Sequence, residues 1–95
     1  MDEQRAEVVD VPDERHYALR VDGEPAGLAA YRIDGTTITF THTETDPARP
    51  GHGLGGSLVQ GVLDDARSRG LDVVPQCPFV RHFIDQHPAY ADLLR

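Results

Sequence analysis

The first half of the chain alternates apolar and polar residues in the way that short β-strands do. In residues 16–21 every second side chain is apolar, which is typical of a strand with one buried face. The dipeptides Asp22-Gly23 and Asp34-Gly35 are typical of tight hairpin turns, so the strands on either side should be antiparallel. The pattern therefore predicts a meander of four strands, over residues 7–11, 16–21, 26–33 and 36–43.

Beyond residue 53 the spacing of apolar residues changes to that of a helix. Apolar side chains recur every three or four residues from Leu54 to Ala66, and Gly70 follows where a helix commonly ends. A strand over 71–74 comes next, and since a helix joins it to strand 36–43, these two strands should be parallel. A second helix is predicted from Pro78 to the His87-Pro88 break, with a short terminal helix over 89–94.

These elements predict an α/β (α+β) fold, a compact sandwich whose mainly antiparallel sheet carries one parallel βαβ crossover and a C-terminal helix. With 95 residues and 10.4 kDa, the chain suits a single domain over residues 1–95. No apolar stretch reaches the length of a membrane span, and no secretory or transit signal is evident, so we expect a cytoplasmic protein without membrane contact. The single cysteine excludes an internal disulfide.

Charge limits the kinds of partner. The formal net charge is −7, which argues against nucleic-acid binding because phosphate contacts need a basic surface. Residues 1–48 hold eleven acids and four arginines, whereas residues 49–95 hold five acids and five arginines. An anionic ligand should therefore bind to the second half of the chain.

Strand 36–43 suggests a first pair of chemically active side chains. Strict alternation would place Ile38, Phe40 and His42 on one face, followed by Glu44, with threonines on the other. His42 could then act as a base that Glu44 orients near the strand end. On the same reasoning, His42 could instead be a hydrogen-bonded core residue and Glu44 a solvated edge acid.

A glycine-rich segment, residues 51–56, joins this strand to the following helix. Such a segment exposes backbone N–H groups at the positive end of the helix dipole, which favours phosphate binding. Alternatively, the glycines only allow a tight turn and close helix packing. The segment also fits the dinucleotide pattern G-x-G-x-x-G with Asp72 some way on. We interpret that match as accidental, because Asp72 opens its strand instead of ending it.

Several segments together carry a family resemblance: T-H-T-E-T at 41–45, G-H-G-L-G at 51–55, V-V-P-Q-C-P-F-V at 73–80 and H-P-A-Y at 87–90. Over most of its length the chain resembles the small YjdJ-type branch of the GCN5-related N-acetyltransferases. The resemblance implies acetyl transfer from acetyl-coenzyme A to an amine that the sequence does not identify. The alternative is a non-catalytic module that binds acyl-coenzyme A. The resemblance also implies an acceptor site that is open or completed by a partner, in a monomer or weak homodimer.

In that family the glycine loop holds the pyrophosphate of acetyl-coenzyme A. Gly53 and Gly55 match its two glycines, whereas Pro50 stands where the family has Arg or Gln. The residues expected to bind the cofactor are Arg49, Gly51, His52, Gly53, Leu54, Gly55, Gly56 and Arg81.

Cys77 is the third catalytic candidate, with His42 and Glu44. It should lie beyond the carboxyl end of strand 71–74, where α/β sheets commonly bind ligands. As a nucleophile at a helix N-terminus it could carry the acetyl group, although it could also be a small buried apolar residue. We expect no metal site, because successive steps of five residues from Cys77 to His82 and His87 turn each side chain about 140° from the last on a helix.

Overall fold

A five-stranded sheet carries the fold. The structure is a computed structural model that describes residues 6–46 and 53–94. Its strands are β1 (Ala6–Val11), β2 (His16–Val21), β3 (Glu24–Asp34), β4 (Thr37–Thr45) and β5 (Asp72–Pro75). Its helices are α1 (Leu54–Ser68) and α2 (Pro78–Gln86), with 3₁₀ turns at Pro12–Glu14 and Pro88–Leu93.

The sheet confirms the predicted fold class. The strands follow one another in the order β1-β2-β3-β4-β5, with antiparallel neighbours except for the parallel pair β4 and β5. Asp22 and Gly23 both have positive φ, 52° and 82°, as a type I′ hairpin turn requires. The short terminal helix predicted over 89–94 is confirmed, and it is a 3₁₀ helix, Pro88–Leu93. This mainly antiparallel sheet also differs from the parallel sheet of a dinucleotide-binding fold.

Strand β4 contains a bulge that changes which side chains face the core. Ala30 pairs with His42 and Tyr31 with Phe40, so Thr41 is an extra residue in β4. A single extra residue reverses the alternation of side chains from that point on. Phe40 is therefore buried against α1, whereas His42 lies on the opposite face of the sheet. The prediction that His42 and Glu44 share a face with Ile38 and Phe40 is wrong for this reason.

Helix α1 packs across the face of the sheet that carries Tyr17, Leu19, Ile38 and Phe40, here called the inner face. Its buried side chains are Leu54, Leu58, Val59, Val62, Leu63 and Ala66, the stripe that the sequence predicts. Burying each large apolar side chain contributes about 1.5–3 kcal/mol. The helix ends in a Schellman motif, in which Leu71 N–H donates to Ala66 O (2.9 Å) and Gly70 N–H donates to Arg67 O (3.1 Å).

Polar contacts tie the C-terminal end of α1 to the sheet. Tyr17 Oη donates to Asp65 Oδ2, and Arg69 Nη1 donates to Asp65 Oδ2 (3.2 Å) and Asp10 Oδ2 (3.3 Å). Tyr31 Oη donates to the other oxygen of Asp10 (2.6 Å). Burial, followed by this hydrogen bond, raises the pKa of Tyr31 to about 12, and burial likewise raises the pKa of Tyr17. We call these five residues the tyrosine network.

The N-terminal turn of α1 contacts α2 through a glycine. A Cβ atom added to Gly55 would overlap with Cζ of Phe79, the first large side chain of α2. Phe79 is 48% exposed, so its ring has room to move towards solvent. At the next residue, Gly56, an added Cβ would meet Phe83 at 3.8 Å, an ordinary contact. The position of the Phe79 ring therefore depends on a glycine at position 55, whereas Gly56 has room for a side chain.

The tyrosine network predicts a loss of stability at high pH. Tyrosine in the unfolded chain loses its proton near pH 10, whereas folded Tyr31 keeps its proton to about pH 12. Stability is therefore fully present below pH 10, and the free energy of unfolding should fall as pH rises from 10 to 12. The chain contains no lysine to titrate in this window. Urea unfolding at a series of pH values should show this fall in the free energy of unfolding, and Tyr31→Phe should make the fall smaller. An equal fall in both proteins would show that Tyr31 is not its cause.

The contact between Gly55 and Phe79 predicts different effects at two adjacent glycines. Replacing a helical glycine by alanine gains up to about 1 kcal/mol of helix propensity. We expect Gly56→Ala to keep this gain, because its Cβ has room. Gly55→Ala should lose most of it, because the Phe79 ring must move. Thermal unfolding of both variants measures the difference in their stability. Adding Phe79→Ala to Gly55→Ala should reduce that difference, because the ring that meets the new Cβ is then absent. A Gly55→Ala protein as stable as Gly56→Ala would show that the contact is absent.

Candidate functional site

A gap opens where β4 and β5 separate. Their pairing runs from Thr37 and Asp72 to Phe40 and Pro75, and the N–H of Cys77 then donates to Phe40 O (2.9 Å). Beyond this bond β4 continues to Thr45, whereas the other chain turns into α2. The first turn of α1 lies beside the gap through its contact with Phe79. The bulge, the end of β5 and the N-termini of both helices thus meet at one place.

Cys77 lies at this gap as the N-cap residue of α2, beyond the carboxyl end of β5 as predicted. It is 5% exposed, and its Sγ lies 3.2 Å from Oγ1 of Thr43. Thr43 is not among the catalytic candidates that the sequence indicates, because strict alternation places it on the opposite face from Phe40. The bulge turns it to the inner face, where it pairs with the fully buried Ala29.

His42 and Glu44 form the predicted pair on the outer face of β4. His42 Nε2 lies 2.7 Å from Glu44 Oε2, and the two side chains are 60% and 61% exposed. His42 is therefore not a core residue, which removes one alternative left open by the sequence. Thr43, between them, faces the other way towards Cys77. The structure thus does not unite the three catalytic candidates in one cluster, since His42 and Glu44 lie on the opposite face of β4 from Cys77.

The N-terminus of α1 offers backbone donors next to the gap. Gly53 is its N-cap residue with φ +64°, a left-handed conformation that glycine adopts without strain. Ser57 N–H donates to Gly53 O (3.0 Å), which leaves the N–H groups of Leu54, Gly55 and Gly56 without acceptors in the helix. Among the described residues, no side chain caps this end, and the first turn of α1 contains no acidic residue. The positive end of the helix dipole is therefore available to an anion.

The remaining cofactor candidates are only partly covered by the structure. Arg49, Gly51 and His52 lie outside the described residues, as does Pro50. Arg81 is exposed on α2, one turn after Cys77, and its backbone N–H donates to Cys77 O (3.1 Å). Its guanidinium has no polar partner within the part of the chain that the structure describes. A positive charge thus lies on the helix that begins at the gap.

Metal-binding clusters and membrane-spanning helices are both absent from the part of the chain that the structure describes. Within 6–46 and 53–94, no three His, Cys, Asp or Glu side chains are grouped so that they could hold a metal ion. In the same ranges, none of the helices has the length and apolar character needed to cross a membrane.

Comparison with known proteins gives the family. The model of the family described as GCN5-related N-acetyl-transferase matches residues 16–93. A GCN5-like candidate N-acetyltransferase from Staphylococcus aureus has a similar solution structure, with a TM-score of 0.71 and 23% identity over 94% of this chain and 87% of that one. N-acetylglutamate synthase from Neisseria gonorrhoeae, complexed with coenzyme A and N-acetyl-glutamate, has a TM-score of 0.61 and 15% identity. That match covers 90% of this chain and 26% of the synthase.

A search of curated proteins found no match. The two solved structures, both below 25% identity, show that the fold is shared. The YjdJ-type branch stays a prediction, since none of these matches distinguishes it. The family model spans most of the chain, from the start of β2 to the end of the terminal 3₁₀ helix. The chain therefore belongs to the GCN5-related N-acetyltransferases, a family of acyltransferases.

Proposed function

We propose that the protein transfers an acetyl group from acetyl-coenzyme A to an amine at the gap between β4 and β5. The observation that carries this proposal is the arrangement around the gap, with open N–H donors of α1 and the Cys77 thiol on one side and the His42–Glu44 pair on the other. A related fold, that of the neisserial synthase, is known in complex with coenzyme A. Acetyl-coenzyme A supplies the activated thioester when it is bound.

The N-terminal turn of α1 is suited to the pyrophosphate of this cosubstrate. The N–H groups of Leu54, Gly55 and Gly56 lack acceptors in the helix and lie at the positive end of its dipole. Arg49, Gly51 and His52 belong to the same loop in the sequence, and Gly53 forms its end. Arg81 adds a guanidinium without a polar partner among the described residues. In our proposal these residues bind the cofactor, as the resemblance implies.

His42 and Glu44 are suited to the acceptor side of the reaction. An amine must lose a proton before or during attack on a carbonyl carbon, so a nearby base accelerates transfer. In our proposal His42 takes that proton, and Glu44 orients the imidazole through their 2.7 Å contact. Both side chains are mostly exposed on the outer face of β4, so acceptors of various sizes can reach them. The proposal therefore specifies an amine but not its size.

Cys77 has two possible roles that differ in their chemistry. In direct transfer, its thiol donates a proton to the departing thiolate of coenzyme A. In a two-step route, the Cys77 thiol would give up its proton and its sulfur would attack the thioester carbon. A new S–C bond would form while the C–S bond to coenzyme A breaks, and the departing sulfur would take up the proton that Cys77 released. The amine would then attack the acetyl-cysteine, its proton would pass to His42, and the Cys77 thiolate would depart as the amide bond forms. Contact with Thr43 Oγ1 fixes the thiol in either case.

A second candidate function is binding of acyl-coenzyme A without catalysis. It is favoured by the burial of Cys77, which is only 5% exposed, because a buried thiol often serves as a small apolar side chain. The two functions share the cofactor and differ in whether Cys77 and His42 matter for turnover.

Ligand-dependent melting tests the cofactor. Acetyl-coenzyme A at about 100 times its dissociation constant should add about 2.7 kcal/mol, which shifts the melting temperature by about 10 °C or more in a domain of this size. Coenzyme A should also stabilise the protein, whereas NAD should not. A shift with NAD alone, or no shift with either coenzyme at millimolar concentration, would overturn the proposed cofactor.

Substitutions at the gap test catalysis. With a panel of primary amines, His42→Ala should lower kcat about a hundredfold or more, since general-base catalysis contributes on that scale. Cys77→Ala should also lower kcat, and mass spectrometry of the wild-type protein with acetyl-coenzyme A should show one added acetyl group only if the two-step route operates. His82→Ala, a substitution of an exposed histidine on α2, is the matched control. Unchanged turnover in both His42→Ala and Cys77→Ala would favour the binding module.

A further inference from the structure

A second cavity lies far from the gap, at the opposite end of α1. Its volume is about 450 Å³, and its lining includes Pro12, Arg15, Tyr31, Arg32, Ile33 and Arg69. Helix α1 has 15 residues, and at about 1.5 Å per residue its two ends are separated by about 22 Å. Arg69 caps its C-terminal end, so this cavity is well separated from the glycine loop. We call it the arginine cavity.

Three arginines from different elements meet there, in a chain with a net charge of −7. Arg69 is held by Asp10 and Asp65 in the tyrosine network, so its charge is matched. Arg15 differs, because its side chain has no ion pair or hydrogen bond with any other described residue. Its backbone also adopts the left-handed conformation, φ 57° and ψ 43°, which costs a residue with a side chain about 1 kcal/mol or more. The lining thus includes a guanidinium, that of Arg15, which no described carboxylate neutralises.

The backbone of β3 adds a donor. Strand β2 begins at His16, opposite Ala30, so β3 continues past the end of β2. Tyr31 N–H donates to Arg15 O (2.9 Å) on the β2 side. Because N–H directions alternate along a strand, the N–H of Ile33 points to the same side, where β2 has ended. The cavity therefore combines guanidinium groups and a backbone N–H with apolar surface from Pro12, Ile33 and Tyr31.

We propose that the arginine cavity binds a small organic oxyanion, a phosphate or carboxylate joined to an apolar group. Arginine matches the geometry of both anions through paired N–H donors. The volume exceeds what an inorganic anion needs, and the apolar part of the lining suits the rest of such a ligand. Asp34 also lines the cavity and lies 3.6 Å from Arg32 Nε, but the two side chains are 84% and 57% exposed. This pair is therefore weak and opens when an anion binds Arg32.

Amide NMR of the full chain distinguishes this cavity from the glycine loop. Phenyl phosphate and benzoate are the probes, and phenol is the uncharged control. We expect both anions to shift the amide signals of Arg15, Ile33 and Arg69, and phenol to shift them much less. Signals of residues 54–57 report separately on the N-terminus of α1. Shifts confined to residues 54–57, or equal shifts with phenol, would overturn the proposal whatever the outcome for acetyl-coenzyme A.

Charge variants complete the test. Arg15→Gln combined with Arg32→Gln should weaken binding of phenyl phosphate at the cavity at least tenfold and leave the shifts of residues 54–57 unchanged. Asp34→Asn should strengthen binding, because it removes the only carboxylate of the described residues in the lining. Arg20→Gln, an exposed substitution on β2 outside the cavity, is the matched control. If phenyl phosphate shifts the cavity signals equally in the double variant and in Arg20→Gln, the proposal is contradicted. Melting temperatures equal to that of the unsubstituted protein verify that the variants are folded.

Discussion

The extra residue at Thr41 is the constraint on which the rest of the site depends. From Thr37 to Phe40 every side chain of β4 is buried, and Ile38 and Phe40 are the two that lie on the inner face under α1. Beyond Thr41 the alternation is reversed, so Thr43 faces Cys77 and its two neighbours face outwards. The same region is where β4 and β5 stop pairing, with the N–H of Cys77 making the last bond to Phe40. Removing the bulge would return His42 to the core side and Thr43 to the outer face.

The fold holds this region in place from the far end of α1. The tyrosine network joins the last turn of the helix to β1, β2 and β3, and the Schellman motif directs the chain into β5. A second set of contacts, from Arg67 to Asp92 (2.8 Å) and to Ala89 O (2.8 Å), attaches the terminal 3₁₀ helix to the same turn. Because the C-terminal half of α1 is held by several elements, the helix does not depend on a side-chain cap from the described residues at its N-terminus.

Much of this architecture could be predicted from the sequence, because it follows from local patterns. Asp22-Gly23 encodes its hairpin, the stripe from Leu54 to Ala66 encodes its helix, and the order of strand, helix and strand encodes the parallel pair. The bulge could not be predicted, because the run Thr36–Thr43 contains no glycine or proline that would mark an irregularity. This bulge is the reason why the sequence pattern places His42 on the wrong face and does not indicate Thr43. The arginine cavity was hidden for a different reason, since Arg15, Arg32 and Arg69 are distant in sequence and no periodicity connects them.

The reversal of side chains at Thr41 also places neighbouring residues of β4 in two environments that tolerate substitution to different degrees. Thr43 and Cys77 lie against the buried core, where most substitutions disturb packing. His42 and Glu44 are more than half exposed, and substitutions at such surface positions usually change stability by less than about 0.5 kcal/mol. The packing of the fold therefore restricts positions 43 and 77, whereas at positions 42 and 44 it leaves the choice of side chain to the chemistry of the outer face.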